Sequence, residues 1–301
     1  MPHRYFVLDV FTDTPLTGNP LAVVLDAEGL DGARMQAIAR EFNLSETVFV
    51  LPAENPMHRA KLRIFTPGVE LPFAGHPTVG TAVLLARLDL GEGEEERDGL
   101  VTVEEGVGVV RCGVRLKPDA AGFAEFDVPR RPEEREGLPA RDRLASAVGL
   151  VPSDIGFGNH RPTAFDAGVG FVFLPVRDAE ALGRARPMRV FWDDTFAEAP
   201  AGQVFLYTPG EEDVSFQARV FAPSLGVDED PATGSAAAAF AGVLAKFEAL
   251  PDGLHRVVLA QGYEMGRPSR IQLELDLEGG GVAACRVGGH AVIVAEGTLA
   301  M

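Results

Sequence analysis

The chain has 301 residues, of which 46% are hydrophobic, and a formal net charge of −17 at pH 7. This length allows a substantial core and favours two compact domains or one large one. The acidic balance disfavours nucleic acid and an anionic membrane surface as partners, because proteins that bind them usually concentrate Lys and Arg on one face.

No targeting segment, membrane span or cofactor site is predicted. The apolar run near the N-terminus stops at Asp9, which is too early for a signal-peptide core. No later run approaches the roughly 18 apolar residues of a membrane helix. Cys112 and Cys285 lie far apart and in no Cys/His cluster, and no nucleotide-binding glycine motif occurs. We therefore expect a cytoplasmic protein without a disulfide framework, a metal or a cofactor.

Short strands and a few helices are predicted along the first half. FVLDVFT (6–12) and LAVVLD (21–26) should form a hairpin across a Pro/Gly-Asn turn. A helix capped by Asp31 follows, with Met35, Ile38, Ala39 and Phe42 at helical spacing.

Two further strands, 47–52 and 60–67, precede an apolar helix predicted from about Thr78 to Leu88. Because this helix is apolar on nearly every side, it should be buried within the sheet. The charge run at 91–99 predicts a solvated turn, and strands continue from there to about residue 128.

The second half repeats this order. At an offset of 156, TVFV (47–50) matches QVFL (203–206), and RIFTP (63–67) matches RVFAP (219–223). After a three-residue insertion, Gly75-His76 matches Gly234-Ser235. Single short matches arise by chance, but their shared order indicates an internal duplication.

The pattern predicts an α+β fold of two pseudo-symmetric lobes, each a barrel-like sheet around a central apolar helix, with a cleft between them. The N-terminal lobe should comprise residues 1–128, completed by about 286–301. The C-terminal lobe, the duplicate of the first, should comprise residues 129–285.

The loops that start the two apolar helices are candidate sites for a small carboxylate. The first N–H groups of a helix lack intrahelical partners, and the helix dipole favours an anion there. Gly75 and Gly234 would allow a ligand to approach the backbone closely. The alternative is that these loops only start helices and bind nothing.

Six segments together resemble the PhzF-type (phenazine-biosynthesis-like) isomerases and epimerases. They are TGNPLAVV, NLSETVFV, FAGHPTVG, DPATGSA, QGYEMGRPSRI and VGGHAVIVAEG, in this order over nearly the whole chain. The family is similar in fold to diaminopimelate epimerase, with two barrel-like lobes and an active site between them. This two-lobed fold agrees with the internal duplication, which does not depend on the resemblance.

The resemblance implies that Glu46 is the acid/base that removes a proton from carbon and returns it elsewhere. Its counterpart at the same offset is Gly202, so only one lobe carries this carboxylate. For both steps we expect its pKa to be raised toward neutrality by partial burial. The alternative is a surface glutamate that closes the preceding helix.

The resemblance also implies that His76 and Asp230 hold and polarise the substrate, including an amino group in the family's best-known member. Neither is assigned as a metal ligand. Ser235 is a candidate carboxylate donor, together with the N–H groups near Gly75 and Gly234. The alternatives are a structural histidine, a solvated acidic turn and a simple N-cap serine.

One departure from related folds restricts the mechanism. Racemases of this fold that need no cofactor use two cysteines, one from each helix-start loop, but these loops carry Gly75-His76 and Gly234-Ser235. We therefore expect one-carboxylate isomerisation, with chemistry of the trans-2,3-dihydro-3-hydroxyanthranilate isomerase type on a small carboxylate. The alternatives are a binding protein without activity, and a dehydratase or hydratase using the same carboxylate. A homodimer is expected from the resemblance alone.

Overall fold

The computed structural model describes residues 2–91, 95–118 and 121–300. The chain folds into two compact units. Unit 1 comprises Met1–Asp127 and Gly288–Met301, and unit 2 comprises Val128–Val287.

In the described part of unit 1, strands surround one of two helices. In chain order the elements are β1 (His3–Val10), β2 (Asn19–Val24), α1 (Gly32–Phe42), β3 (Glu46–Leu51), β4 (Ala60–Phe65), β5 (Glu70–Leu71), α2 (Gly75–Leu90), β6 (Arg97–Glu105), β7 (Gly108–Leu116) and β8 (Gly122–Asp127).

Unit 2 also combines strands with one long helix, and it contains additional short helices. Its elements are β9 (Glu133–Arg135), α3 (Arg141–Ala147), β10 (Thr163–Asp166), β11 (Gly170–Pro175), α4 (Ala179–Arg184), α5 (Arg189–Phe196), β12 (Val204–Pro209), β13 (Phe216–Ala222), β14 (Val227–Asp230), α6 (Gly234–Phe247), β15 (Gly253–Gln261) and β16 (Ser269–Glu278). The last strand, β17 (Gly281–Leu299), begins in unit 2 and ends in unit 1, where it pairs antiparallel with β1.

The order of strand pairings is the same in both units. In unit 1, β1–β2 is antiparallel, β2–β3 parallel, β3–β4 antiparallel, β4–β6 parallel and β6–β7 antiparallel. In unit 2, β10–β11, β11–β12, β12–β13, β13–β15 and β15–β16 follow the same alternation. In each unit the long apolar helix lies in the crossover between the second pair of parallel strands. The predicted α+β fold with two similar lobes is confirmed.

The two crossover helices form the centres of the two cores. Every residue of α2 from Gly75 to Ala86 is buried, as are eleven of the fourteen residues of α6. In unit 2 the ring of Phe240 lies 5.2 Å from the rings of both Phe205 and Phe216. Aromatic pairs at this spacing add to the free energy gained by burial. The prediction of a helix enclosed by strands is therefore correct for both units.

The first hairpin and the cap of α1 are also as predicted. β1 and β2 pair antiparallel, and the Asp31 side chain accepts a hydrogen bond from the Arg34 N–H at 2.8 Å. None of the helices in the three described ranges is long and apolar enough to cross a membrane.

One predicted boundary is wrong, and a second can be checked only in part. α2 begins at Gly75, three residues before the predicted start at Thr78, so His76 and Pro77 belong to its first turn. A proline is tolerated there because the first N–H groups of a helix have no intrahelical acceptor. Residues 92–94 of the predicted solvated turn lie outside the described residues, and β6 already begins at Arg97, within it.

The close packing of α6 can be tested with one methyl group. A Cβ at Gly242 would lie 2.4 Å from a ring carbon of buried Phe165. We expect Gly242→Ala to lower the free energy of unfolding by about 1–3 kcal/mol, because overpacking outweighs the helix propensity of alanine. Urea denaturation measures the change. Gly183→Ala in α4, where the nearest atom is a side-chain oxygen 4.0 Å away, is the matched control and should not destabilise. Equal effects of the two substitutions would contradict this packing.

Candidate active site

Glu46 is the first residue of β3 and lies beside β2. The parallel register pairs Glu46 with Leu21, and the carboxylate side chain is 16% exposed. The preceding helix is closed by Asn43, whose left-handed backbone (φ 51°) lets its N–H donate to the Ala39 carbonyl. Glu46 is thus a strand residue and does not close the helix, contrary to the alternative interpretation.

His76 lies next to Glu46 within unit 1. Its Nε2 is 3.4 Å from Glu46 Oε2, and the imidazole is almost completely buried. On the other side of the ring, Nδ1 is 3.3 Å from Asn19 Nδ2, and the Pro20 carbonyl accepts a hydrogen bond from the ring. β2, β3 and α2 therefore meet at one carboxyl–imidazole pair.

Burial keeps the imidazole of His76 neutral. Desolvation lowers its pKa to about 3, and the hydrogen bond to Pro20 opposes this shift only in part. A neutral imidazole has one N–H donor and one acceptor nitrogen. With the proton on Nδ1 the ring can donate to the Pro20 carbonyl, and Nε2 can accept from Glu46. With the proton on Nε2, Nδ1 accepts from the Asn19 amide and Nε2 can donate to Glu46. The neutral ring can therefore accompany Glu46 either as a carboxylate or as a carboxyl group without becoming charged.

Asp230 lies in unit 2 and is held by two polar side chains. Thr233 Oγ1 donates to Asp230 Oδ2 at 2.6 Å, and Gln261 Nε2 donates to the Asp230 carbonyl at 2.7 Å. Gln261 Oε1 also accepts from the Thr233 N–H at 3.1 Å. Since Gln261 is 1% exposed, it fixes the loop between β14 and α6 from inside the unit.

Ser235 occupies the same position in α6 as His76 does in α2. Each is the second residue of a helix that begins with glycine, at Gly75 and at Gly234. The N-cap of α6 is Thr233, so the interpretation of Ser235 as an N-cap serine is wrong. Neither helix has a side-chain hydrogen bond from its N-cap residue to the first turn.

Two side chains at these sites were not singled out by their sequence. Asn19 contacts His76 across 57 residues of chain, and Gln261 contacts the Asp230 loop across 31 residues. Both stand in segments that carried the family resemblance, TGNPLAVV and QGYEMGRPSRI, which was the only available signal. Within the described ranges, no group of three or more His, Cys, Asp or Glu side chains is arranged to hold a metal ion.

The neutral state of His76 makes stability depend on pH in a defined direction. Unfolded His76 binds a proton below about pH 6.5, whereas folded His76 binds one only near pH 3. The free energy of unfolding should therefore fall as the pH drops from 6.5 to 5, with His76 contributing up to about 1.4 kcal/mol per pH unit. Urea denaturation at several pH values should show a shallower slope for His76→Asn. The control His255→Asn should keep the wild-type slope, and an unchanged slope in His76→Asn would contradict burial of a neutral imidazole.

Comparison with known proteins places this chain in a family. The family model described as phenazine biosynthesis-like protein (PhzC-PhzF) matches residues 8–297. An uncharacterised isomerase of Mesorhizobium japonicum is 49% identical, with 98% of each chain covered. The trans-2,3-dihydro-3-hydroxyanthranilate isomerase of Pseudomonas aeruginosa is 36% identical, again with 98% of each chain covered.

A solved structure agrees with these matches. The phenazine biosynthesis protein of the PhzF family from Bacillus anthracis superimposes with a TM-score of 0.88 at 26% identity, and 100% of each chain is covered. The family model, the relatives and the fold all agree. The chain belongs to the phenazine biosynthesis-like (PhzC-PhzF) family and is an enzyme of the isomerase type.

Proposed function

We propose that this protein is a cofactor-independent isomerase that moves a proton between two carbons of a small, unsaturated carboxylate with an amino substituent. The observation that carries the proposal is the contact between Glu46 and neutral His76, 3.4 Å apart. A relative at 36% identity is named for a substrate of this chemical class, trans-2,3-dihydro-3-hydroxyanthranilate.

In the proposed reaction Glu46 acts twice. Its carboxylate takes a proton from a substrate carbon, and the electron pair of that C–H bond moves into the adjacent conjugated system. The protonated carboxyl then delivers the proton to a second carbon, and the double bonds shift accordingly. No atom is gained or lost, and one carboxyl on one face suffices for both steps.

His76 keeps Glu46 in place and shares its proton. Because burial keeps the imidazole neutral, Nε2 can accept a hydrogen bond from the protonated carboxyl without adding a positive charge. A positively charged histidine would hold the carboxylate ionised and would weaken it as a base. The neutral ring therefore suits a group that must both accept and release a proton.

The remaining assignments concern substrate binding. The first turns of α2 and α6, with Gly75, Gly234 and Ser235, are proposed to bind the carboxylate, since helix starts favour anions. Asp230 is proposed to bind the amino group. The hydrogen bonds from Thr233 and Gln261 support this role, because they fix the aspartate before substrate arrives.

Removal of the acid/base should abolish turnover and leave binding in place. We expect Glu46→Gln to lower kcat/KM by about 10²–10⁴-fold, the usual contribution of general acid–base catalysis. Proton NMR in heavy water measures deuterium incorporation into trans-2,3-dihydro-3-hydroxyanthranilate and related amino-substituted carboxylates. Thermal shift with the same compounds measures binding.

Glu41→Gln, which changes an exposed glutamate of α1, is the matched control and should retain full exchange. Exchange by Glu46→Gln at the wild-type rate would contradict the proposed base. Ligands that stabilise the wild type without any exchange would instead indicate a binding protein.

Loss of the Asp230 charge should weaken substrate binding. A hydrogen bond to a charged group contributes about 1.5–3 kcal/mol, so Asp230→Asn should raise KM for an amino-substituted substrate by about 10–100-fold. Steady-state kinetics measures the change. Asp228→Asn, on the same strand but paired with Arg189 at an exposed position, should leave KM unchanged. An equal KM for the wild type and Asp230→Asn would contradict the assignment.

A further inference from the structure

The turn between β6 and β7 is packed directly on the segment that leads into α2. The Val107 N–H donates to the Pro72 carbonyl at 3.0 Å. A Cβ at Gly106 would lie 2.8 Å from Pro72 Cα and 3.0 Å from its carbonyl oxygen, so only glycine fits without displacement. The turn therefore fixes the chain three residues before Gly75.

Glu105 extends this contact into the first turn of α2. Its Oε1 lies 2.8 Å from Thr78 Oγ1, which in turn lies 2.8 Å from the Ala74 carbonyl. Glu105 is 8% exposed and Thr78 is completely buried. Among the described residues, Glu105 Oε2 finds no hydrogen-bond partner. Burial without a hydrogen-bond partner costs less free energy for the carbonyl oxygen of a protonated carboxyl group than for an oxygen of a charged carboxylate.

The number of available hydrogens limits the possible directions of these two hydrogen bonds. A threonine hydroxyl has one hydrogen, and both the Ala74 carbonyl and the Glu105 oxygen lie within reach of it. Both contacts are satisfied when a protonated Glu105 donates to Thr78 and Thr78 donates to Ala74. An ionised Glu105 would compete with Ala74 for the same hydrogen.

Burial supports the protonated form, because desolvation raises the pKa of Glu105 to about 8. The hydrogen bond with Thr78 favours the ionised form, but it opposes the effect of desolvation only in part. Cys112 on β7 is a buried thiol whose pKa is raised by desolvation, and Asp127 on β8 adds negative charge near that thiol. Lys61 on β4 lines the same surface pocket but forms an ion pair with Glu54. On α2, His76 is neutral.

We infer that Glu105 is a positioning residue: as a protonated acid it holds, through Thr78 and Ala74, the start of α2 that carries Gly75 and His76. Its effect on catalysis rests on the proposed function, in which His76 supports Glu46. Its effect on the helix start does not. Ionisation of Glu105 would turn the Thr78 hydroxyl away from Ala74 and loosen the first turn.

The test compares Glu105→Gln, Glu105→Leu and the control Asp98→Asn, which changes an exposed side chain of the same strand. The pH dependence of kcat/KM and the hydrogen-exchange protection of the amides of residues 78–80, the first that bond within the helix, are measured for each. The wild type should lose activity and protection in a one-proton step above about pH 8. Glu105→Gln should lack this step, since its amide donates to Thr78 without ionising.

Glu105→Leu should lower kcat/KM by about 10–100-fold at every pH, the usual cost of misplacing a catalytic group. Thr78→Val should have the same effect, and Thr78→Ser, which keeps the hydroxyl, should restore activity. An alkaline step that persists in Glu105→Gln, or unchanged protection in both Glu105→Leu and Thr78→Val, would overturn the inference. If the wild type has no isomerase activity, the proposed function fails, and the protection data still decide the role of Glu105.

Discussion

The buried contact between His76 and Glu46 is the interaction on which the proposed chemistry depends. Three elements of unit 1 bring it about: β2 supplies Asn19 and Pro20, β3 begins with Glu46, and α2 presents His76 in its first turn. Burial keeps the imidazole uncharged, so the pair can hold a proton without a fixed positive charge beside the carboxylate. The core around α2 therefore sets the state of charge of the site as well as its geometry.

The two units share an order of strand pairings but differ where chemistry is expected. The strand register corrects the predicted counterpart of Glu46: Val204 pairs with Phe221 as Thr47 pairs with Phe65, so Gln203, and not Gly202, stands in unit 2 where unit 1 has Glu46. Ser235 replaces His76 at the second residue of the helix, and unit 2 supplies Asp230 instead, fixed by Thr233 and Gln261. The duplicated scaffold thus carries different polar groups, which fits separate roles in proton transfer and substrate binding.

Local signals in the sequence predicted most of the fold. The Asp31 cap, the first hairpin and the two buried helices follow from spacing and composition within short windows, because local hydrogen bonds and periodic burial determine them. The sequence predicts the start of α2 too late because Gly, His and Pro are typical of a loop, although a helix tolerates them in its first turn. Asn19, Gln261 and Glu105 were not found, since each acts on residues that only the folded chain brings near. No pattern within a single segment encodes such contacts.

The charge state of the histidine tests the account most directly. In protein labelled with ¹⁵N in its histidines, the ring nitrogens of His76 report both protonation and tautomer. We expect neutral-imidazole shifts from pH 8 down to pH 5, with an Nε2 signal that changes in Glu46→Gln. Protonation of His76 near pH 6.5, with no response to Glu46→Gln, would contradict it.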